Sequence, residues 1–303
     1  MNTKIIGAGL AGLIAACTFQ DADILESTEK GTPHKALLRF RSDVVSKATG
    51  VPFRKVTVHK AIFTEGETYT RATPRLANLY SRKVIGRIGD RSVWNLDPVE
   101  RWIAPEDFQA QLVEKHARRI QWSTPVGDIS VMNSDTIINT APLPVILTAC
   151  GLQPIEAMFE HNPIEVLRYR LPKGSDVYQT LYFPQPQTKV FRASITGDLL
   201  IIERMPGATS SDLGFVCGAF GIDAHEVIEL ERVSQKYGKI IDIPRGDRES
   251  ILHRLSGDYN VFSIGRFACW RNILLDDVVH DIEMVQRLIA ASAYDRRIVL
   301  AKR

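Results

Sequence analysis

The sequence predicts an α/β fold in which a three-layer, Rossmann-like dinucleotide-binding domain carries an inserted α+β domain with an antiparallel sheet. The 303 residues suffice for about two domains. A glycine-rich turn lies between a strand and a helix at the start of the chain, and alternating strands fill its middle. We therefore expect a discontinuous dinucleotide-binding domain of residues 1–30, 105–150 and 251–303, with residues 31–104 and 151–250 forming the substrate-binding domain.

The composition is that of an ordinary globular protein, because 45% of the residues are hydrophobic and 24% are charged. This excludes a fibrous or disordered chain. No uncharged apolar window reaches the ~18 residues of a membrane-spanning helix, and no apolar signal core precedes the glycine turn. We therefore expect a cytoplasmic protein that does not enter a membrane. The four cysteines are far apart and no carboxylates cluster, so the sequence predicts no metal site.

The first 26 residues have the order of elements that a dinucleotide-binding motif requires. A short apolar strand ends at Ile6, a turn with three glycines leads into a helix of small residues, and a second strand ends at Glu26. The helix N-terminus can bind a pyrophosphate, and the acid can accept hydrogen bonds from ribose hydroxyls. The predicted cofactor-binding residues here are Gly7, Ala8, Gly9, Leu10, Ala11, Gly12 and Glu26. An acid at position 26 disfavours NADP and leaves NAD and FAD open.

A second motif lies near the end of the chain, where an apolar strand runs into Gly265-Arg266. Trp270, Arg271 and Asp276 follow, and a helical pattern begins near Val278 with Asp276 or Asp277 as its expected N-cap. This set resembles the C-terminal flavin motif of the UDP-galactopyranose mutase family, which belongs to a superfamily with the amine oxidases and protoporphyrinogen oxidase.

The resemblance implies that the dinucleotide is FAD, with Arg266 beside its pyrophosphate and the start of the last helix beside the flavin. It also implies that the strand ending in Thr-Ala-Pro returns the chain to the cofactor and that the backbone near Val126 lies against the adenine. The residues implied to bind FAD are thus Val126, Thr140, Ala141, Pro142, Gly265, Arg266, Asp276, Asp277 and Val278. The superfamily's glycine pair after the ribose-binding acid is missing here, and Lys35, Arg39 and Arg41 are the candidates to replace its contacts.

Positive charge is concentrated between Lys30 and Arg101. That segment holds fifteen Lys or Arg and six Asp or Glu, a surplus of nine, although the whole chain carries only +3. Such a surplus predicts an anionic partner, which is the phosphates of a cofactor, of a nucleotide-sugar or of nucleic acid. Arg54, Lys55 and Lys60 are the predicted substrate-binding cations of this segment.

The middle of the chain predicts strands at 177–183, 190–195 and 199–203, with a turn at 184–187. Tyr178, Tyr182, Arg192 and Trp270 are the candidate catalytic residues, through contact with the reacting substrate. Arg192 is also a predicted substrate-binding residue, because a guanidinium inside an apolar strand needs an anion.

Three functions remain open within this interpretation. The first is FAD-dependent oxidation of an amine, in which a C–N bond is cleaved through an imine. The second is a rearrangement of a nucleotide-sugar, as in the UDP-galactopyranose mutase family. The third is a flavin-binding protein without catalytic activity. Residues 34–43 and 51–56 also resemble small bacteriophage flavoproteins of thymidine hypermodification, which implies double-stranded DNA with an amino-acid-modified thymine as substrate, in the cytoplasm of a bacterial host.

Overall fold

The computed structural model describes residues 2–31, 38–89, 93–130, 135–207 and 211–290. The strands are β1 (Thr3–Ile6), β2 (Asp23–Leu25), β3 (Arg39–Phe40), β4 (Arg54–Thr64), β5 (Glu67–Tyr69), β6 (Val99–Ile103), β7 (Ile120–Gln121), β8 (Thr136–Asn139), β9 (His161–Tyr182), β10 (Val190–Arg204), β11 (Ile228–Ile240) and β12 (Val261–Ser263). The α-helices are α1 (Leu10–Thr18), α2 (Val44–Thr49), α3 (Pro74–Ile85), α4 (Phe108–His116), α5 (Leu143–Ala149), α6 (Ser211–Phe220), α7 (Arg245–Asp258) and α8 (Leu275–Ala290).

The first sheet is parallel throughout, with the strand order β12-β8-β1-β2-β7. Its strands are short, and most of their buried residues are apolar, as expected for a sheet that helices cover on both faces. Helix α1 packs against α2, α4 and α8, while α7 packs beside β12. The side chains of Ile5, Leu13 and Ile24 in this core are fully buried. The predicted Rossmann-like arrangement is therefore confirmed.

The second sheet has the order β10-β9-β4-β6-β3, and β11 and β5 are added on β9 and β4. The prediction of an antiparallel sheet is wrong in one pairing, because β4 and β9 run parallel. Parallel neighbours need a long crossover connection. The chain supplies it by leaving this sheet after β6 to form α4, β7, β8 and α5 before it returns in β9.

The predicted strands at 190–195 and 199–203 form one strand, β10. Its register against β9 shifts on both sides of Gly197, whose φ of 60° accommodates the irregularity. The turn predicted at 184–187 joins β9 and β10, as expected. Strand β9 begins at His161, well before the predicted position 177, because the polar stretch of residues 172–176 interrupts the alternation of apolar residues.

The core of the parallel sheet extends past the predicted domain boundaries. Phe40, Val45 and Phe53 are buried in this core, although the sequence assigned residues 31–104 to the inserted domain. The reason is that α2 packs its apolar side against α1 and α8. The second sheet has cores on both faces: α6 covers Ala61 and Leu181, and α3 covers Ile62. No described helix is both long and apolar enough to cross a membrane.

Candidate functional site

The three glycines of the turn after β1 differ in whether the fold leaves room for a side chain. Gly7 has a φ of 98°, and a Cβ there would lie 2.6 Å from Thr140 Oγ1. A Cβ on Gly12 would lie 2.0 Å from the carbonyl oxygen of Gly7. A Cβ on Gly9 would meet nothing within 4 Å. The fold therefore requires glycine at positions 7 and 12, whereas Gly9 leaves an open space in front of the turn.

Glu26 connects the end of β2 to this turn. Its Oε2 accepts a hydrogen bond from the backbone N–H of Ala8 at 2.8 Å, and its Oε1 accepts one from the backbone N–H of Thr28 at 3.0 Å. Helix α1 begins at Leu10, and no described side chain caps it at Gly9. The N–H groups in the first turn of a helix have no partners within the helix. The start of α1 therefore presents backbone N–H groups that could bind an anion, beside a carboxylate.

The strand that ends in Thr-Ala-Pro borders the same turn. Thr140 Oγ1 donates a hydrogen bond to the carbonyl oxygen of Ile6 at 2.7 Å. The backbone N–H of Ala141 donates to Asn139 Oδ1 at 3.0 Å, and Pro142 precedes α5 as its N-cap residue. Val126 is half-buried against the core of the parallel sheet. Thr140 thus lies close to the glycine turn.

Gly265 brings the end of β12 to α1. It has a φ of 86°, and a Cβ there would lie 3.0 Å from the Cβ of Ala11. Arg266 donates a hydrogen bond from Nη2 to the carbonyl oxygen of Gly238 at 3.1 Å. Trp270 is fully buried, and its ring packs edge-on against Phe159 with the centroids 5.2 Å apart. The hypothesis that Trp270 contacts substrate is wrong, because the indole lies inside the core.

The start of α8 differs in detail from the prediction. The helix begins at Leu275, so Leu274 and not an aspartate is its N-cap residue. Asp277 lies two residues into the helix, and its Oδ2 accepts a hydrogen bond from the Leu274 N–H at 2.9 Å. Asp276 is 3% exposed and bonds to the segment before α2, while Val278 is 1% exposed. These three predicted cofactor-binding residues thus fix the helix start, and two of them are buried.

One face of the second sheet carries four of the cations that the sequence singled out, together with Arg101. Cα partners point their side chains to the same face of a sheet, so the register places Arg39, Arg54, Lys60, Arg101 and Arg192 together. We call these five residues the cationic face. Tyr178, Thr180 and Tyr182 lie on it as well. Lys55 does not, because neighbouring residues of a strand alternate, and it pairs instead with Glu100 on the other side at 2.7 Å. Lys35 lies outside the described residues.

Arg39 crosses the cationic face from β3 to β9 and β10. Its guanidinium donates to Thr180 Oγ1 at 2.7 Å, to the Ile195 carbonyl oxygen at 2.6 Å and to Thr196 Oγ1 at 2.5 Å. Burial, and then the nearby charges of Arg192 and Arg101, lower its pKa to about 9. Among the described residues no carboxylate pairs with Arg39. Its positive charge therefore has no negative partner within the described structure.

The anion that pairs with Arg192 is a side chain of the protein itself, Glu203. Both Nε and Nη2 donate to Glu203 Oε1, and Lys239 donates to Glu203 Oε2 at 3.3 Å. Burial alone would raise the pKa of Glu203, but the two cations outweigh it and lower the pKa to about 2. The sequence analysis missed Glu203, although an acid that ends the apolar stretch 199–202 was a signal for a buried ion pair. Arg192 itself keeps 36% of its side chain exposed.

The other polar groups of the cationic face are also held in place. Arg54 donates to the hydroxyl of Tyr178, and its guanidinium lies 5.1 Å from the centre of that ring. Lys60 donates to the carbonyl oxygen of Asn95 at 2.8 Å, and its pKa is lowered by burial and then by Arg101. Tyr182 packs edge-on against Tyr80 of α3 at 5.4 Å between centroids.

A cavity of about 770 Å³ lies beside the cationic face, between α4 and the bend of β10. Arg54 and Ile103 line it from the sheet, and Thr196 lines it from the bend. None of the described residues of the glycine turn lines this cavity. The segment that follows Arg39 leads from the cationic face towards the parallel sheet. It passes from β3 to the start of α8 within three residues.

Comparison with known proteins assigns the fold. No protein-family model matches the sequence, and no curated protein matches it. Among solved structures, reduced UDP-galactopyranose mutase matches with a TM-score of 0.66 and 12% identity, over 99% of this chain and 96% of that one. The chain has the fold of FAD-binding flavoenzymes.

Two further structures agree with this assignment. A putrescine oxidase matches with a TM-score of 0.56 and 9% identity, over 96% of this chain and 99% of that one. A tryptophan C-6 flavin-dependent halogenase from taromycin biosynthesis matches with a TM-score of 0.54 and 12% identity, over 99% of this chain and 74% of that one. The matches therefore extend over nearly the whole chain and include both sheets.

Proposed function

We propose that the chain binds FAD and is an FAD-dependent oxidoreductase. The observation that carries this proposal is the glycine turn, in which Gly9 leaves open space before the uncapped start of α1 and Glu26 lies at the end of the neighbouring strand. This arrangement fits a dinucleotide, because phosphates bind the helix start and ribose hydroxyls bind the acid. Thr140 and Gly265 border the turn and would form the sides of the cofactor site.

The cationic face supports an anionic substrate. Arg39 has no described carboxylate partner, and its pKa is lowered first by burial and then by the nearby positive charges of Arg192 and Arg101. A bound anion would relieve this repulsion and raise the pKa again. Tyr182, which is partly exposed, supplies aromatic surface beside the same cations, while Tyr178 is buried under Arg54. The face therefore has the chemistry to hold a phosphate or carboxylate next to an uncharged ring.

Oxidation of an amine is the reaction that suits these residues best. FAD, when bound, supplies the acceptor for the two electrons and the hydrogen that an amine loses from its α-carbon. The neutral amine needs no strong base, and the cationic face presents no free one among its described residues. Its neighbouring carboxylate, Glu203, stays ionised between Arg192 and Lys239. The role of the chain would then be to orient the substrate through its anionic part.

The specific substrate that we propose is an amino-acid-modified thymine in bacteriophage DNA, whose oxidation and hydrolysis would leave an aminomethyl group. The surplus of nine positive charges in residues 30–101 supports a polyanionic substrate. A nucleotide-sugar is the second candidate, since Arg39 and Arg192 on one half-buried face could clamp a diphosphate. The similarity to the fold of UDP-galactopyranose mutase supports this candidate.

Anaerobic flavin reduction distinguishes these functions. The FAD-loaded protein is mixed without oxygen either with a duplex that contains a glycyl-modified thymine or with the same duplex unmodified. We expect loss of the oxidised flavin absorbance with the modified duplex alone. Conversion of UDP-galactopyranose by the reduced protein, without reduction by the DNA, would favour the nucleotide-sugar candidate. Neither reaction in a protein that retains FAD would indicate a flavin-binding protein without this activity.

A further inference from the structure

The outward side of α3 carries a row of arginines. Arg75 and Arg82 are seven residues apart, so they lie on the same side of the helix, and both are exposed. Arg71 just before the helix and Arg87 just after it are exposed as well. We call these four residues the arginine stripe. The helix spans 12 residues, or about 18 Å, and contains no acidic residue.

The arginine stripe has no negative partner among the described residues. The ion pairs of the described structure involve other cations, including Lys55 of the same basic segment, which pairs with Glu100. Of the three cations that the sequence proposed for DNA, Arg54 stacks on Tyr178 and Lys60 bonds to a backbone carbonyl. The three predicted cations are thus engaged within the protein, whereas the arginine stripe presents its charge to a macromolecule.

Exposed apolar side chains lie close to the arginine stripe in the chain. Ile88 is 57% exposed and Trp94 is 60% exposed, which is unusual for residues of this size. The neighbours Val93 and Leu96 are buried under α3, so the Trp94 loop is anchored and its ring is held outside. The next residue, Asn95, accepts the hydrogen bond from Lys60, which places this loop at the border of the cationic face.

We propose that the arginine stripe and Trp94 form a docking surface for a nucleic-acid strand, with phosphates on the arginines and an unstacked base on the indole. The inference rests on the proposed function in one respect, that the docked strand delivers its base to the cationic face. A strand advances roughly 3.4 Å per nucleotide, so the stripe is long enough to meet several phosphates. Aromatic side chains beside a basic surface are the usual platform for bases outside a duplex.

The structure favours nucleic acid over an anionic membrane. A helix that binds a membrane surface needs an apolar side to insert among the lipids. The apolar side of α3, with Leu76, Tyr80 and Val84, is already packed on the second sheet. Only its polar side remains outside. Helix α3 itself therefore offers charge without an apolar side that could insert among lipids, which suits a phosphate backbone.

The test measures binding of a labelled oligonucleotide of about 20 nucleotides, single-stranded and duplex, by fluorescence anisotropy over a salt series. The full chain is used with its bound cofactor. We expect log affinity to fall linearly with log salt for the wild type. In the variant R75Q/R82Q the slope should decrease by about two, since each lost phosphate contact contributes about 0.9. Its affinity at low salt should fall at least tenfold.

A matched variant, R254Q/R287Q, removes the same charge from exposed positions on α7 and α8 and should change affinity less than twofold. W94A should weaken binding of the single-stranded oligonucleotide more than binding of the duplex. Three outcomes would each overturn the proposal. In the first the wild type binds neither oligonucleotide, in the second R75Q/R82Q binds as tightly as the wild type, and in the third the protein binds vesicles with anionic lipid and not DNA. Cofactor content is measured on the same samples. A protein that binds DNA through the stripe but carries no flavin refutes the proposed function and leaves the docking surface standing.

Discussion

The carboxylate of Asp276 at the start of α8 accepts a hydrogen bond from the backbone N–H of Arg41 at 3.0 Å. Its Oδ1 also accepts the N–H of Ser42 at 3.0 Å. This one buried side chain ties the segment before α2 to the last helix. Arg39 lies two residues earlier and reaches Thr180 on the second sheet. The contact between Asp276 and Arg41 therefore fixes the distance between the parallel sheet and the cationic face.

Replacing Asp276 with alanine should lower the free energy of unfolding by about 1–3 kcal/mol, because two backbone N–H groups lose their acceptor in a buried place. Urea unfolding measures this change. The control is D277A, at a neighbouring acid whose side chain is 29% exposed. It should lower the free energy of unfolding by less than D276A does. Equal stability of D276A and the wild type would show that the contact does not hold the two parts together.

The glycine turn allows the fold and cofactor binding to be tested separately. We expect G9A to leave the thermal stability of the cofactor-free protein unchanged, since its Cβ meets nothing within 4 Å. G9A should nevertheless reduce FAD retention, because the methyl group enters the open space before α1. In G12A the Cβ would lie 2.0 Å from the Gly7 oxygen, so both stability and FAD retention should fall. Full FAD binding by G9A would place the cofactor elsewhere.

Arg39 should act on the substrate and not on the cofactor. In R39Q we expect KM for the anionic substrate to rise at least tenfold with little change in kcat, because the lost charge binds substrate and transition state alike. The FAD content should stay at the wild-type level, since the described hydrogen bonds of Arg39 all go to β9 and β10. K55Q, on the opposite face, is the matched control. Loss of FAD with an unchanged KM would instead support the sequence-based assignment of Arg39 to the cofactor.

His116 should make the protein less stable in mild acid. It is 3% exposed and accepts a hydrogen bond from Arg119 at 2.6 Å, and burial, followed by Arg119 and Lys115, lowers its pKa to about 4. In the unfolded chain its pKa is about 6.5. Between these values the unfolded state binds more protons, so stability falls as pH decreases from 6.5 towards 4.

The loss between pH 7 and pH 5 should be about 2 kcal/mol from this histidine alone. Urea unfolding at the two pH values checks it, and H116Q should lose this part of the difference. Glu203 does not contribute in this window, because a carboxylate with a lowered pKa loses its stabilisation only below about pH 4.5. An identical decline in H116Q would assign the effect to another group.

The parts of the fold that could be predicted from sequence are those that depend on local backbone requirements. Gly7 and Gly12 have a local steric reason to be glycine, and the strand, turn and helix around them were predicted correctly. The closing helix was also predicted, although it begins at Leu275, three residues before the predicted start near Val278, and its cap lies two or three residues before the predicted aspartates. These features need only neighbouring residues to form.

The parts that could not be predicted depend on pairing between distant strands. The sequence grouped Arg54, Lys55 and Lys60, but the alternation along β4 sends Lys55 to the opposite face. The parallel pairing of β4 with β9 is likewise invisible before the crossover is known. The ion pair of Arg192 with Glu203 joins residues on either side of the irregularity at Gly197, which local patterns do not show.

The most direct test of the central claim is the cofactor that the purified protein carries. The protein is expressed without added flavin, purified, denatured, and the released compound is identified by mass and fluorescence. We predict a yellow protein that releases FAD at about one molecule per chain, with much less from G9A. A colourless protein that stays free of flavin when incubated with FAD, and binds NAD instead, would contradict the account.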